Sequence, residues 1–227
     1  MQSTASRAIV RVPFSRRRQL ELKAKRAFDF SAALFLLILL LPFFALMAIL
    51  IRIDSPGPAI FRQRRLGQGG TEFDMLKFRS MQIDADAAVH RQAVARLARG
   101  EPAAFVDGRP VFKAASDPRV TRIGRLIRST NLDELPQLWN VLRGEMSLVG
   151  PRPAIPYELD LYDEQHFRRF AVPQGITGLW QVRRESTRSF ADVLNLDLEY
   201  VDHYSLLLDF RILILTLPRL FPRKWSF

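Results

Sequence analysis

The chain has 227 residues, 48% of them apolar, with 34 Lys and Arg against 23 Asp and Glu for a formal charge of +11. That length suits one ordinary domain, or one domain with an attachment, and the apolar share is enough for a core. With no cysteine and three scattered histidines (His90, His166, His203), disulfides and Cys-based zinc sites are excluded and a His-rich metal site is disfavoured; the cation excess calls for nucleic acid, anionic lipid or a phosphorylated substrate.

Residues 1–22 are polar and basic, with Arg7, Arg11, Arg16, Arg17 and Arg18, and read as a tail resting on anionic headgroups. Phe30 to Ile51 then runs about 22 positions without a charge, the length of a membrane helix. A cleaved signal peptide fits poorly, because no small-x-small site closes the run. Lys23, Lys25 and Arg26 precede it, and Arg52, Arg62, Arg64 and Arg65 follow it. The positive-inside tendency therefore wants both ends on the cytoplasmic face. A re-entrant hairpin over 23–53 satisfies both ends. It breaks at Leu41-Pro42, where proline removes a backbone donor and clashes with the preceding turn. A straight span kinked at Pro42 is the alternative.

Residues 54–227 carry the remaining elements. Asp54-Ser55-Pro56-Gly57-Pro58 is a loop. A strand near 59–63 and a second from Glu72 to Met81, with Gly67, Gly69 and Gly70 between them, pair as a hairpin. Asp84 to Arg99 is an Ala-rich helix and 100–118 a loop. Val120, Ile123, Leu126 and Ile127 recur at helical spacing, as do Leu135, Leu138, Val141 and Leu142 before Gly144. A helix follows over about Phe190 to His203. The apolar run Ile212 to Leu217, flanked by Asp209, Arg211, Arg219, Arg223 and Lys224, reads as an interfacial amphipathic helix with Trp225 at headgroup level. The fold class is α/β and mostly helical.

Asp133 and Glu134 stand adjacent among many cations: Arg119, Arg122, Arg125 and Arg128 before them, Arg152 in Gly150-Pro151-Arg152-Pro153 after them. Pro136 is tolerated only in a first helical turn, which predicts a helix start near Leu132 or Asp133 and puts Asp133 at or beside the N-cap. Capping alone is the plain reading. A carboxylate kept ionised by the helix dipole is also able to attack phosphorus and form an acyl phosphate. Glu134, with Asp133, suits a hard cation such as Mg2+, which takes one or two carboxylates and completes its shell with water and phosphate oxygens. Arg128 and Arg152 are placed to grip phosphate oxygens. Lys77 and Arg79, two apart on a strand, project to one face and are further candidates for binding the substrate phosphate or nucleotide. The segment Gly175 to Val182 is a tight glycine loop in which Trp180 is better read as packing than as stacking on a base.

The ordered set Lys25-Arg26-Ala27-Phe28-Asp29, the apolar hairpin, Lys77 to Met81, Arg128 to Gln137, Met146 to Pro153 and Gly175 to Val182 resembles the bacterial sugar transferase family. These are monotopic polyprenyl-phosphate phosphoglycosyl transferases that start exopolysaccharide, capsule and O-antigen assembly. The resemblance runs from about residue 23 to the C-terminus. It implies transfer of a sugar-1-phosphate from a UDP-sugar to undecaprenyl phosphate, with UMP released. Asp133 would be the nucleophile and Glu134 its dyad partner. Arg152, Arg128 and Lys77 would line the phosphate and nucleotide site, and magnesium would be the metal.

It further implies a re-entrant membrane helix, membrane lipids as partners and a catalytic domain on the cytoplasmic face of the bacterial inner membrane. The chain departs from the family at Leu41-Pro42, where some members carry Ser-Pro, and at Arg183-Arg184-Glu185-Ser186, where many carry Gly-Arg. It resembles the free-standing core, without the N-terminal membrane bundle of larger members. Glucose or galactose is the expected sugar, with an N-acetylated sugar and a homo-oligomer left open. A nucleic-acid-binding module leaves the apolar run without a role, and a catalytically inert scaffold predicts that Asp133→Asn changes nothing.

Overall fold

The structure is a computed structural model and describes residues 15–82, 105–106, 109–110, 119–183, 187 and 189–220. The helix expected over 84–99 and the segment around Trp225 lie outside these residues. Within the expected loop 100–118, Phe105–Val106 (β3) pairs antiparallel with Arg109–Pro110 (β4).

Helix α1 spans Arg16–Leu39, and Ser15 caps it by accepting from the Arg18 N–H. The helix thus begins within the stretch expected to be a basic tail. After Leu40 the chain bends by 62° into α2, Leu41–Asp54, with Pro42 in its first turn. The break falls where the proline predicts it, because a first-turn proline forfeits no helical hydrogen bond. No single described helix is long and apolar enough to cross a membrane, though the bent pair passes that test together.

Lys25, Asp29 and Ala33 form the buried stripe of α1 at four-residue spacing. Lys25 Nζ lies 2.6 Å from Asp209 Oδ2 and 3.7 Å from Asp29 Oδ2. Asp29 accepts from Ser147 Oγ at 2.7 Å and from the Leu148 N–H. Arg26 donates to the carbonyls of Val141 and Leu142, at a helix C-terminus where the dipole favours a cation. The Lys25–Asp29 motif therefore ties α1 to the domain through polar bonds. Two of the seven cations used in the charge-symmetry argument, Lys25 and Arg65, are buried, and the outward charge rests on Lys23, Arg26, Arg52, Arg62 and Arg64.

Strands β1 (Ile60–Leu66) and β2 (Glu72–Phe78) form the expected hairpin, with Phe61 opposite Lys77 and Arg65 opposite Phe73. Helix α3 covers Arg122–Ser129. A 3-10 turn then covers Leu132–Glu134, followed by α4 over Gln137–Arg143, which Gly144 stops at φ 83°. A parallel pair joins β5 (Ser147–Val149) and β6 (Gly175–Thr177). The last helices are α5 (Leu179–Val182), α6 (Phe190–Asp202) and α7 (Leu206–Leu220).

The main core joins Phe73, Met75, Leu138, Val141, Leu148, Leu179, Tyr200 and Ile212. Trp180 is buried, in keeping with its packing role. A second cluster seats α2, through Met47 and Ile51, on Phe78 and Ile127. Each half of the candidate site therefore rests on the same helix: Phe78 adjoins Lys77, and Ile127 lies on the helix leading to Asp133. The mostly helical architecture with small sheets is as expected.

Candidate active site

Asp133 lies in the middle of the 3-10 turn, and the N-cap of α4 is Pro136, which offers no side-chain cap. This corrects the expected placement. Pro136 is already helical, but the residues before it close three-residue turns, with Glu134 N–H bonding Asn131 C=O and Leu135 N–H bonding Leu132 C=O. Asn131 enters this turn at φ 55°, a left-handed conformation in which Asn is enriched among non-glycine residues. Asp133 is only 4% exposed.

Glu134 gathers two cations on one oxygen. Lys77 Nζ stands 3.2 Å from Glu134 Oε1 and the Arg152 guanidinium 3.9 Å from it. Lys77 is 13% exposed, Glu134 19% and Arg152 35%, so the cluster opens to solvent mainly on the Arg152 side. Burial pushes the Lys77 ammonium from 10.5 down to about 8, against the opposing pull of Glu134, with lesser contributions from Arg152 and Asp133.

Asn140 sets the spacing between β2 and the Asp133 turn. Its Oδ1 accepts from the Leu76 N–H, and its Nδ2 donates to Asp74 C=O and Glu145 Oε2. A buried amide that satisfies both its polar ends specifies one register. Neither Asn140 nor Arg65 is singled out by sequence reasoning. A lone Asn at helical spacing carries no visible signal, and one arginine among 34 basic residues carries little more.

The other expected anion ligands divide. Arg128 is half-buried in the last turn of α3, three residues before Asn131, and makes no side-chain hydrogen bond or ion pair with a described residue. Arg79 is a correction. Its guanidinium donates to the carbonyls of Ser55 and Pro56, each at 2.6 Å, and of Ile51 at 3.5 Å. It closes the C-terminus of α2 because β2 ends at Phe78, so the strand alternation that pairs Arg79 with Lys77 no longer applies.

Among the described residues no group of three or more His, Cys, Asp or Glu comes together. The available donor set is the adjacent carboxylates of Asp133 and Glu134. It fits a hard cation that keeps most of its shell as water and substrate oxygen. A separate polar cleft of about 740 Å³ involves Arg64, Glu72, Asp74, Trp139 and Arg143, without Lys77, Asp133, Glu134 or Arg152 in its lining.

The family described as bacterial sugar transferase matches residues 20–223 of the chain. The exopolysaccharide production protein ExoY of Sinorhizobium fredii is 38% identical over 90% of this chain and 88% of its own length. The UDP-galactose-lipid carrier transferase of Erwinia amylovora is 40% identical over 89% of this chain, which spans 41% of that relative. The UDP-glucose:undecaprenyl-phosphate glucose-1-phosphate transferase of Caulobacter vibrioides is 39% identical over 86% of this chain and 69% of its own length.

Proposed function

This chain belongs to the bacterial sugar transferase family, and we propose that it is a phosphoglycosyl transferase acting at a membrane. In this reading it moves a sugar-1-phosphate from a UDP-sugar to undecaprenyl phosphate and releases UMP, the first membrane step of polysaccharide assembly. The names of the Erwinia and Caulobacter relatives support a lipid-carrier acceptor and a glucose or galactose donor. The observation that carries the chemistry is the gathering of Lys77 and Arg152, two cations suited to phosphate oxygens, on Glu134, next in the chain to the buried Asp133, whose charge also acts on Lys77.

A carboxylate oxygen of Asp133 attacks the phosphorus that bears the sugar. The bond from that phosphorus to the bridging oxygen breaks, and UMP departs with the electron pair. The aspartyl phosphosugar is then attacked at the same phosphorus by an oxygen of the lipid phosphate, which frees Asp133 and leaves the sugar on a lipid diphosphate. Lys77 and Arg152 hold the anionic oxygens in both steps. Asp133 and Glu134 would hold magnesium, which supplies charge neutralisation between the phosphates and the attacking carboxylate.

The bent pair α1–α2 forms a re-entrant anchor in the inner membrane, with the domain on its cytoplasmic side. Exposed Leu34, Phe35, Ile38, Leu46 and Ile49 support this, as do Leu207, Phe210, Ile214 and Leu217 on α7. One experiment tests the reaction: incubation with a panel of UDP-sugars and magnesium, without lipid, followed by intact mass. The expected result is a single phosphosugar adduct with one donor, absent in Asp133→Asn. Folded protein that gains no adduct from any donor ends the covalent scheme.

A further inference from the structure

The carbonyl oxygens of Arg152 and Pro153 are each gripped by a buried guanidinium. Arg65, near the end of β1, donates to Pro153 C=O at 2.8 Å. Arg169, in the 3-10 segment Glu164–Ala171, donates to Arg152 C=O at 2.7 Å. Both arginines are themselves fixed. Arg65 donates twice to Gln63 Oε1, at 3.2 and 2.8 Å. Arg169 bonds the buried Asp197 and the Tyr162 hydroxyl, and the Tyr162 ring packs against Phe167 and Phe170.

Burying a guanidinium is costly, and apolar residues of similar volume often serve stability as well or better. Here two such groups converge on adjacent carbonyls of one short segment, and the Arg152 side chain leaves the backbone at the Cα immediately before the first of them. The Arg152 head group remains partly exposed and faces Glu134. Its backbone is immobilised by hydrogen bonds from two directions, beyond the stiffness its flanking prolines impart.

We infer that Arg65 and Arg169 are positioning residues that act through Arg152, fixing its peptide so that its guanidinium meets the substrate phosphate. The substrate in this statement rests on the function proposed above. In this role the two arginines bond the backbone of the Arg152 segment and leave the substrate to Arg152.

The test is a double-mutant cycle in the full chain: Arg65→Gln, Arg152→Gln and both together, each assayed for transfer to undecaprenyl phosphate. Amide exchange of the 150–155 peptide is followed in the same samples. Arg65→Gln is expected to lower kcat/KM by on the order of tenfold to a hundredfold, as misplacement of a contact group does. In the Arg152→Gln background the same change should cost less than about twofold, the signature of residues acting as one unit. Exchange at 150–155 should rise while that of α6 stays unchanged, and Arg65→Lys, which keeps the charge and one donor, should recover part of the rate. Should Arg65→Gln not fold, Arg65→Lys carries the same cycle. Losses that multiply across the cycle, or exchange at 150–155 equal to wild type, overturn the proposal. A wild-type chain that transfers no phosphosugar removes the function proposed above, and the exchange measurement still decides the clamp.

Discussion

Lys77 Nζ and Glu134 Oε1 lie 3.2 Å apart, joining residues 57 positions distant in the chain. The pair bridges strand β2 and the turn that carries Asp133. Its protonation state therefore bears on both the charge offered to a phosphate and the distance between those two elements.

With the Lys77 ammonium held down to about 8 by burial, kcat/KM for the UDP-sugar should decline as pH rises through about 8, because this parameter reports the free enzyme. Stability should move the other way. The folded value lies below the usual 10.5, so the unfolded chain binds more protons between these limits. The contribution of Lys77 is complete above 10.5 and is lost as pH falls through 8. Activity falling while this contribution rises, over pH 8 to 10, is the combination to measure. Lys77→Arg should keep kcat/KM level across that range; a wild-type rate that is flat there refutes the role.

Glu134→Gln should shift the same profile. The Glu134 charge pulls the Lys77 ammonium upward, and its removal leaves burial and the nearby Arg152 charge with less opposition. The decline in kcat/KM should then begin below about pH 8. A midpoint unchanged from wild type would mean that the two groups are not electrostatically coupled.

Arg79→Ala should destabilise the chain while leaving substrate affinity alone. Loss of the charge-assisted bonds to Ser55 and Pro56 should cost about 1.5–3 kcal/mol, seen as a lower unfolding midpoint. KM for the UDP-sugar should stay within about twofold of wild type, since a structural effect leaves surviving folded enzyme unchanged. A large rise in KM at full stability would return Arg79 to the phosphate site.

Gly175→Ala should be disruptive for a steric reason. A Cβ at Gly175 would stand 2.1 Å from the Gly150 nitrogen, and one at Gly150 would stand 2.2 Å from the Pro173 oxygen. The β5–β6 pair meets backbone to backbone here, just before Pro151 and Arg152. Overpacking of this kind costs about 1–3 kcal/mol, and kcat should fall with it because the Arg152 segment is displaced. Wild-type stability in Gly175→Ala would contradict the packing.

Lys25→Met should cost about 3–5 kcal/mol, because it leaves the buried Asp29 and Asp209 carboxylates without their shared cation. Chemical denaturation in detergent measures it. A loss below about 1 kcal/mol would mean that this buried triad does not hold α1 in place.

Much of this is legible in the amino-acid sequence. The Leu41-Pro42 break, the β1–β2 hairpin, Gly144 as a helix stop and the α6 limits follow from backbone chemistry that acts within a few residues. The Asp133 cap failed because sequence spacing does not separate a 3-10 turn from the first turn of an α-helix when a proline follows. Arg79 failed because a strand alternation holds only to the strand's end. Arg65, Arg169 and Asn140 were invisible for a different reason. Each acts on a partner more than 15 residues away, through carbonyls or amide hydrogens that every residue possesses.

The stripe Lys25, Arg26 and Asp29 changes what kind of object the N-terminal helix is. Removing the first 54 residues to obtain a detergent-free enzyme would strip counter-charges from Asp209 and bonding partners from Ser147, Val141 and Leu142. That helix is a supporting wall of the domain, and a chain cut at residue 54 is expected to lose folding stability along with the apolar segment.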